Sequence, residues 1–300
     1  MTVTSRPNPQ KRNDLIRKLS RAPWWLLILG VLILLFVHNV QNTHPYPIVW
    51  RAVKQGIEVS IKVSVMAYAL ALVLGLILAL LRRSSNFIVY QISTLFIEAV
   101  RGIPTLVLVY YLALALIPQL IGVGNDFGEW LIKNPIQVPV IDIEVSLRGL
   151  GERLATYRTR DFDNLYRAMI ALAISYSAFL SEIFRAGIDS VGIGQIEAAR
   201  SLGMTRWQTM RLIVLPQAIR VVLPPLGNDF IAMLKESSLV SVLGVQDITR
   251  RGQTYAANTF TFFQVYNVVA LTYLVLTLSL SILVKLLEMY LDHGKARSSH

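Results

Sequence analysis

The sequence contains no cysteine, which excludes a disulfide framework, a thiolate metal site and a cysteine nucleophile. Charge is scarce as well. Asp, Glu, Lys and Arg make up 16% of the 300 residues, where a soluble domain carries about a quarter. Histidine occurs four times, at His38, His44, His293 and His300, near the ends of apolar runs or of the chain and never as H-E-x-x-H, so that zinc signature is absent. No serine has an evident base partner, which leaves an embedded hydrolase without a site. What is abundant is apolar: 54% of residues are hydrophobic and the mean hydropathy is +0.53. A disordered or collagen-like chain is far poorer in such residues, and the excess points to a membrane.

The apolar residues fall into long runs. The first covers 24–37 and extends to about residue 40. Others cover 56–81, 87–118, 168–186, 212–245 with interruptions, and 263–287. A helical crossing of the hydrocarbon core needs about 20 residues. The first run follows Arg6, Lys11, Arg12, Arg17, Lys18 and Arg21, the layout of a signal peptide and of a signal anchor alike. No small-x-small cleavage site follows it, so it reads as a retained transmembrane helix over 22–40, after a basic segment 1–21. Six crossings put both termini on one side.

The net charge of +11 then has a use. Short cytoplasmic segments collect Lys and Arg, and the basic residues of 1–21, Arg82 and Arg83, Arg200, Arg206 and Arg211, and Lys295 and Arg297 all fall on one side if the N-terminus is cytoplasmic. The tail 291–300 is cytoplasmic on the same reading. Because these charges alternate with apolar runs, no nucleic-acid partner is expected. The opposite side holds 119–166, with five basic and seven acidic residues. Within this excursion residues 138–147 alternate apolar and polar positions, as in a strand. A hairpin and a loop both remain open there.

Between the fourth and fifth runs, residues 194–216 hold a polar helix former, Gln195 to Leu202, closed by Gly203. It is too short to cross a bilayer and is expected along the cytoplasmic surface, with Ala198 and Ala199 as a small face for another protein. Glu197-Ala198-Ala199, Leu202, Gly203 four residues past Ala199, and then Ile213, Leu215 and Pro216 resemble the EAA loop of bacterial ATP-binding-cassette import permeases. Glu98-x-x-Arg101-Gly102-x-Pro104 looks like a stretch of their polar amino acid branch. So do Ser175-Tyr176 through Arg185, Pro224 through Asn228, and Leu234 through Leu239.

This resemblance implies an all-α type I importer transmembrane domain over 56–290, a five-helix core here preceded by an extra N-terminal span. It implies a coupling helix that docks on a cytoplasmic ATPase. It also implies a second permease chain, identical or paralogous, two ATPase subunits, an extracytoplasmic amino-acid-binding protein and a bacterial inner-membrane location. The chain has no G-x-x-x-x-G-K-[ST] phosphate loop. It is therefore read as a non-enzymatic transport subunit that binds no cofactor, with ATP and Mg on the partner ATPases. The rival reading is a secondary carrier driven by an ion gradient, which shares broken helices and buried charges but often has inverted repeats; no self-similar halves are visible.

Charges inside spans need a reason. Glu98 with Arg101 and Glu182 with Arg185 stand three apart, as pairs on one helix face. Two readings stand for them: mutual neutralisation, or lining of a translocation pathway that offers both signs to a zwitterion. Lys235 and the neutral hydrogen-bonders Tyr176, Asn228, Ser237 and Ser238 are further pathway candidates, the neutral ones equally suited to interhelical hydrogen bonding.

Overall fold

The computed structural model describes residues 24–134, 137–140 and 143–296. The basic segment 1–21 and Arg297 lie outside the described residues. The chain forms α1 (Trp24–Asn42), α2 (Tyr46–Leu81), α3 (Phe87–Gly102), α4 (Thr105–Lys133), a hairpin of β1 (Gln137–Val140) and β2 (Ile143–Ser146), α5 (Arg148–Thr156), α6 (Asn164–Asp189), α7 (Ile193–Ser201), α8 (Arg206–Leu243), α9 (Ile248–Thr259) and α10 (Phe262–Ala296). Among the described residues, α2, α4, α6, α8 and Phe262–Tyr290 of α10 are the helices long and apolar enough to cross a membrane. The architecture is thus an all-α, multi-pass membrane fold.

One apolar run divides into two helices. Residues 87–118 are not a single span, because the backbone is extended at Ile103 and Pro104. Proline biases the residue before it away from helix. α3, with 16 residues, is about 24 Å long and falls short of a hydrocarbon core of about 30 Å. The crossing helix is α4, which runs on to Lys133, so the first third of 119–166 continues that helix. The rest is the antiparallel hairpin, pairing Val138 with Val145, followed by α5. The alternation in 138–147 was therefore a strand signal.

Two spans contain a π-helical stretch, Tyr111–Leu116 in α4 and Met210–Val214 in α8. In each case a proline follows two residues later, Pro118 or Pro216. A proline cannot donate to the carbonyl four residues back, and a widened turn beside it accommodates the break without ending the helix.

α6 is the centre of the bundle. Its buried face includes Ala171, Leu172, Ser175, Ala178 and Leu180, and it meets Val63, Ala67 and Ala71 of α2 and Ile97 and Val100 of α3. Small residues let the two backbones close up. A Cβ built on Gly75 of α2 stands 2.8 Å from the Leu180 Cβ and 3.0 Å from the Ser177 carbonyl, so only glycine fits. A second core gathers Phe36 of α1, Val49 and Val53 of α2, Ile248 and Ala256 of α9, and Val265 and Val268 of α10. α9 is seated there by Asp247, fully buried, whose carboxylate accepts the Thr249 and Arg250 amides at 3.1 and 2.8 Å and the Tyr273 hydroxyl at 3.1 Å. Burial pushes the Asp247 carboxyl above its ordinary range and these donors pull it back.

Because Gly75 sets the α2–α6 distance, Gly75→Val is expected to destabilise the fold by about 1–3 kcal/mol through overpacking. The check is the thermal unfolding midpoint of the detergent-solubilised protein, which should fall relative to wild type; an unchanged midpoint would show that the interface tolerates the added methyls.

Candidate coupling surface and translocation face

α7 begins four residues after α6 ends, across the link 190–192. A nine-residue helix is too short to be stable alone, so its shape depends on local fixtures. Gly203 has φ +81°, the left-handed conformation that closes helices and that a side chain resists. The Gly203 amide donates to the Arg200 carbonyl at 2.9 Å, and the Met204 amide to the Ala199 carbonyl at 3.2 Å. The next helix starts at once, with Thr205 and Gln208 capping each other's backbone amides. α8 thus begins at Arg206, inside the stretch read as loop. The Gln217 side-chain Nε2 donates to the Gln195 Oε1 at 2.7 Å, tying α7 to α8 just past Pro216.

The outer surface of this knob is apolar where nothing in the chain covers it. Leu202 is 84% exposed, Ile193 73% and Trp207 71%, and Glu197, Ala198 and Gly203 are exposed beside them. Covering a side chain of the size of Leu or Ile contributes about 1.5–3 kcal/mol. Ala199, in contrast, is 4% exposed. The expected outward pair of alanines is therefore a single one, since Ala199 packs inward and holds α7 to its own chain.

The predicted pathway residues separate into two groups. Glu98, Arg101 and Glu182 meet at the end of the bundle where α2 stops and α7 starts. Here the structure corrects the pairing: Glu98 does not bond Arg101 but lies 3.5 Å from Arg82, and Arg101 lies 3.7 Å from Glu182 with its guanidinium 5.8 Å from the Phe179 ring centroid. Glu182 and Arg185 do pair, at 2.7 Å.

The second group lies deeper in the spans. Tyr176 is buried in α6, six residues before Glu182, or about 9 Å of helical rise. Glu236 and Asp229 of α8 and Tyr68 of α2 lie nearby. Tyr68 of α2 donates to the Leu226 carbonyl at 2.6 Å, and its ring lies 5.1 Å from that of Phe230. Asn228 and Lys235 are exposed, Asp229, Glu236 and Ser238 partly so. Residues 228 and 235, like 229 and 236, are two turns apart and share a face. Ile231, Met233 and Leu234 point into the core instead. Ser237 is also fully buried and its hydroxyl donates to the Leu234 carbonyl at 2.8 Å, so it belongs to the core side.

Sequence reasoning left out Glu236 and Tyr68, and it named no partner for Asp229. The seven-residue spacing of Asp229 and Glu236 was the available signal. A third set, Lys54, Glu58 and Lys62, is exposed at successive turns of α2, across the start of the apolar run 56–81. Among the described residues, no three His, Asp or Glu side chains are grouped to hold a metal.

The family described as binding-protein-dependent transport system inner membrane component matches residues 71–293. This chain belongs to that family. It is similar to the probable glutamine ABC transporter permease protein GlnM of Bacillus subtilis, 41% identical over 169 residues, or 56% of this chain and 74% of that protein. It is 36% identical over 212 residues to the probable amino-acid permease protein YxeN of the same organism, covering 70% of this chain and 77% of that one. A crystal structure of an amino acid ABC transporter with histidines aligns at TM-score 0.63 and 33% identity, over 85% of this chain and 98% of that chain. The MetNI methionine ABC transporter shares the fold, at TM-score 0.57 and 15% identity. The chain is accordingly a permease-type transmembrane subunit, homologous to amino-acid ABC transporter permeases.

For such a permease the exposed α7 surface makes a direct test. Gly203→Asp costs about 1–2 kcal/mol in left-handed strain, leaves the spans untouched, and adds a charge to the apolar knob. It is expected to insert and fold normally while losing ATP-dependent uptake at least about tenfold, as a loss of about 1.4 kcal/mol in docking would give. Quantitative membrane immunoblotting beside uptake in vesicles checks both halves; wild-type uptake would remove α7 from the coupling surface.

Proposed function

We propose that this permease forms the translocation pathway of an ATP-driven amino acid importer together with a second, identical or paralogous permease chain, and couples through α7 to two cytoplasmic ATPase subunits. The observation that carries this reading is the rigid, self-capped α7 with Leu202, Ile193 and Trp207 uncovered. A membrane helix connection held this firmly, yet left apolar toward water, suits a docking groove on another subunit. Glu197, Ala198, Leu202 and Gly203 form the contact, and Ala199 and Pro216 hold it in place.

The pathway is read onto the polar face of α8. An ionised side chain facing lipid costs about 2.5–3.5 kcal/mol at the centre of a span by insertion scales, so a face with Asp229, Lys235 and Glu236 belongs against water or another chain. Pro224 and Pro225 lie inside the same helix one turn earlier and remove two of its backbone donors, as is tolerated where backbone lines a cavity. Asp229 and Glu236 suit an ammonium group and Lys235 a carboxylate, with Tyr176, Asn228 and Ser238 as neutral partners. At the other end of α6, a cavity of about 1030 Å³ lined by Arg160, Asp161, Asp163 and Gln246 serves as the vestibule where an extracytoplasmic binding protein releases the amino acid.

Orientation follows the charges. Arg82 and Arg83 lie at the same end of the bundle as α7, joined to α6 by the Arg83–Asp189 pair, which makes that end cytoplasmic under the positive-inside rule. The excursion after α4 is then extracytoplasmic, both termini are cytoplasmic, and α1 is a sixth span of a bacterial inner-membrane protein. ATP closes the ATPases, the α7 helices follow, and access to the pathway alternates.

Reconstitution decides between importer and ion-coupled carrier. Uptake of radiolabelled amino acid into proteoliposomes is expected only when ATPase subunits, binding protein and ATP are all present, and Glu236→Gln or Asp229→Asn should lower its rate or shift its substrate preference. Uptake driven by an ion gradient without any ATPase would favour the carrier, and an unchanged profile in both variants would move the pathway off α8.

A further inference from the structure

We infer that Glu182 is the positioning residue that passes motion of α7 to α2 and α3, through a network of arginines gathered on α6. This rests on the importer reading, but it concerns a different part of the protein from the polar face of α8.

The Glu182 carboxylate is shared. One oxygen accepts from the Arg82 guanidinium and lies 3.7 Å from that of Arg101; the other accepts from Arg185 through Nε at 2.9 Å and Nη2 at 2.7 Å. Asp189, two turns further along the same helix, accepts Arg185 at 3.2 Å and also Arg83. Arg82 completes the set by reaching Glu98 at 3.5 Å. Four arginines thus meet three carboxylates, with one positive charge left over. They come from the end of α2, from α3 and from α6 itself. Arg82 is the most enclosed of them, with 18% of its side chain exposed against 21% for Glu182, so these bonds are less screened than surface pairs.

The position of this network matters more than its strength. α6 runs into α7 through three residues, of which Val191 is buried and Ser190 bonds back to the Gly187 carbonyl at 2.7 Å. Any displacement of α7 is therefore delivered to the last two turns of α6, where Glu182 and Asp189 stand. α3 is otherwise lightly held: of its 16 residues only Ser93, Ile97 and Val100 are buried, and its link to α4 is extended. The arginines fasten α3 and the end of α2 to the moving turns. α2 carries Tyr68 and α6 carries Tyr176, the two tyrosines beside Asp229 and Glu236, so a shift at the network repositions the pathway walls.

The arrangement gives Glu182 a role that substrate contact does not. Its removal leaves Arg82, Arg101 and Arg185 facing one another without their common counter-charge, while the polar face of α8 keeps every group. The test uses the complete transporter, with ATPases and binding protein, in proteoliposomes. Glu182→Gln is expected to hydrolyse at least about tenfold more ATP per amino acid imported than wild type, with the substrate concentration for half-maximal uptake unchanged. Glu182→Asp should restore coupling in part. Since the chain has no cysteine, spin labels at Ile88→Cys on α3 and at the exposed Ala186→Cys on α6 report the second half of the claim: ATP trapping should leave their separation fixed in wild type and change it in the Glu182→Gln background.

Wild-type stoichiometry in Glu182→Gln overturns the inference, as does a change confined to substrate affinity, which would return Glu182 to the pathway. If Glu182→Gln fails to fold, Arg101→Gln keeps the Arg82 and Arg185 bonds; partial uncoupling supports the network and full coupling overturns it. Failure of the importer reading shows separately, as wild-type uptake that needs no ATP.

Discussion

The close approach of α2 and α6 is the constraint on which both the core and the polar groups depend. Gly75 brings α2 against Ser177 and Leu180, and the two helices then run side by side in the same direction through the bundle. On one side of that contact lie Tyr68 and Tyr176, on the other Arg82 and Glu182. The spacing that brings the tyrosines together also brings the ion pair together. A wider interface would separate the network from the pathway and leave buried donors without partners, each costing about 1–3 kcal/mol. In a membrane, where apolar side chains gain little by leaving lipid, such fit is what holds helices together.

That constraint gives polar groups three distinct uses. Those with complete local partners are structural: Asp247 caps α9, Ser237 bonds its own helix, and Ser60 accepts the Ile248 amide at 3.3 Å. Those shared among several elements, with Glu182 at their centre, transmit position. Those left open on one face of α8, with Asn228 and Lys235 exposed and Asp229 half-buried, are the ones proposed to line the pathway. Hydrogen-bond completeness therefore distinguishes the three more sharply than residue type does, because glutamates and aspartates occur in more than one of these groups.

The sequence made the spans legible because lipid demands long apolar runs of nearly any residue that fulfils it. The short helix before Gly203 was legible for another reason: its shape is set locally, by Gly203 and the caps of a few neighbours. Legibility failed where averaging concealed a change of role. Residues 87–118 are apolar on average despite Glu98 and Arg101, so the run masked Pro104, the one residue that divides a short amphipathic helix from a crossing one. At the start of α2, polar residues from Tyr46 onward belong to the same 36-residue helix as the apolar run, at about 54 Å far longer than a bilayer core requires. Hydropathy sees only the part that lipid selects.

Partnerships across elements were the least readable. Glu98 and Arg101 satisfy the helical spacing rule for a pair, yet each has a stronger offer from elsewhere. Arg82 sits at a helix end with a flexible side chain, and Glu182 presents one oxygen to it and to Arg101 from a packed neighbour. Pairing within α3 would have made the charges neutral and α3 independent. Pairing across the bundle gives each of them a counter-charge while making α3 dependent on α6, and dependence of that kind is what the proposed transmission from α7 through α6 needs. The i, i+3 rule describes what an isolated helix prefers; the difference from that preference is where tertiary structure, and with it a mechanical role, enters.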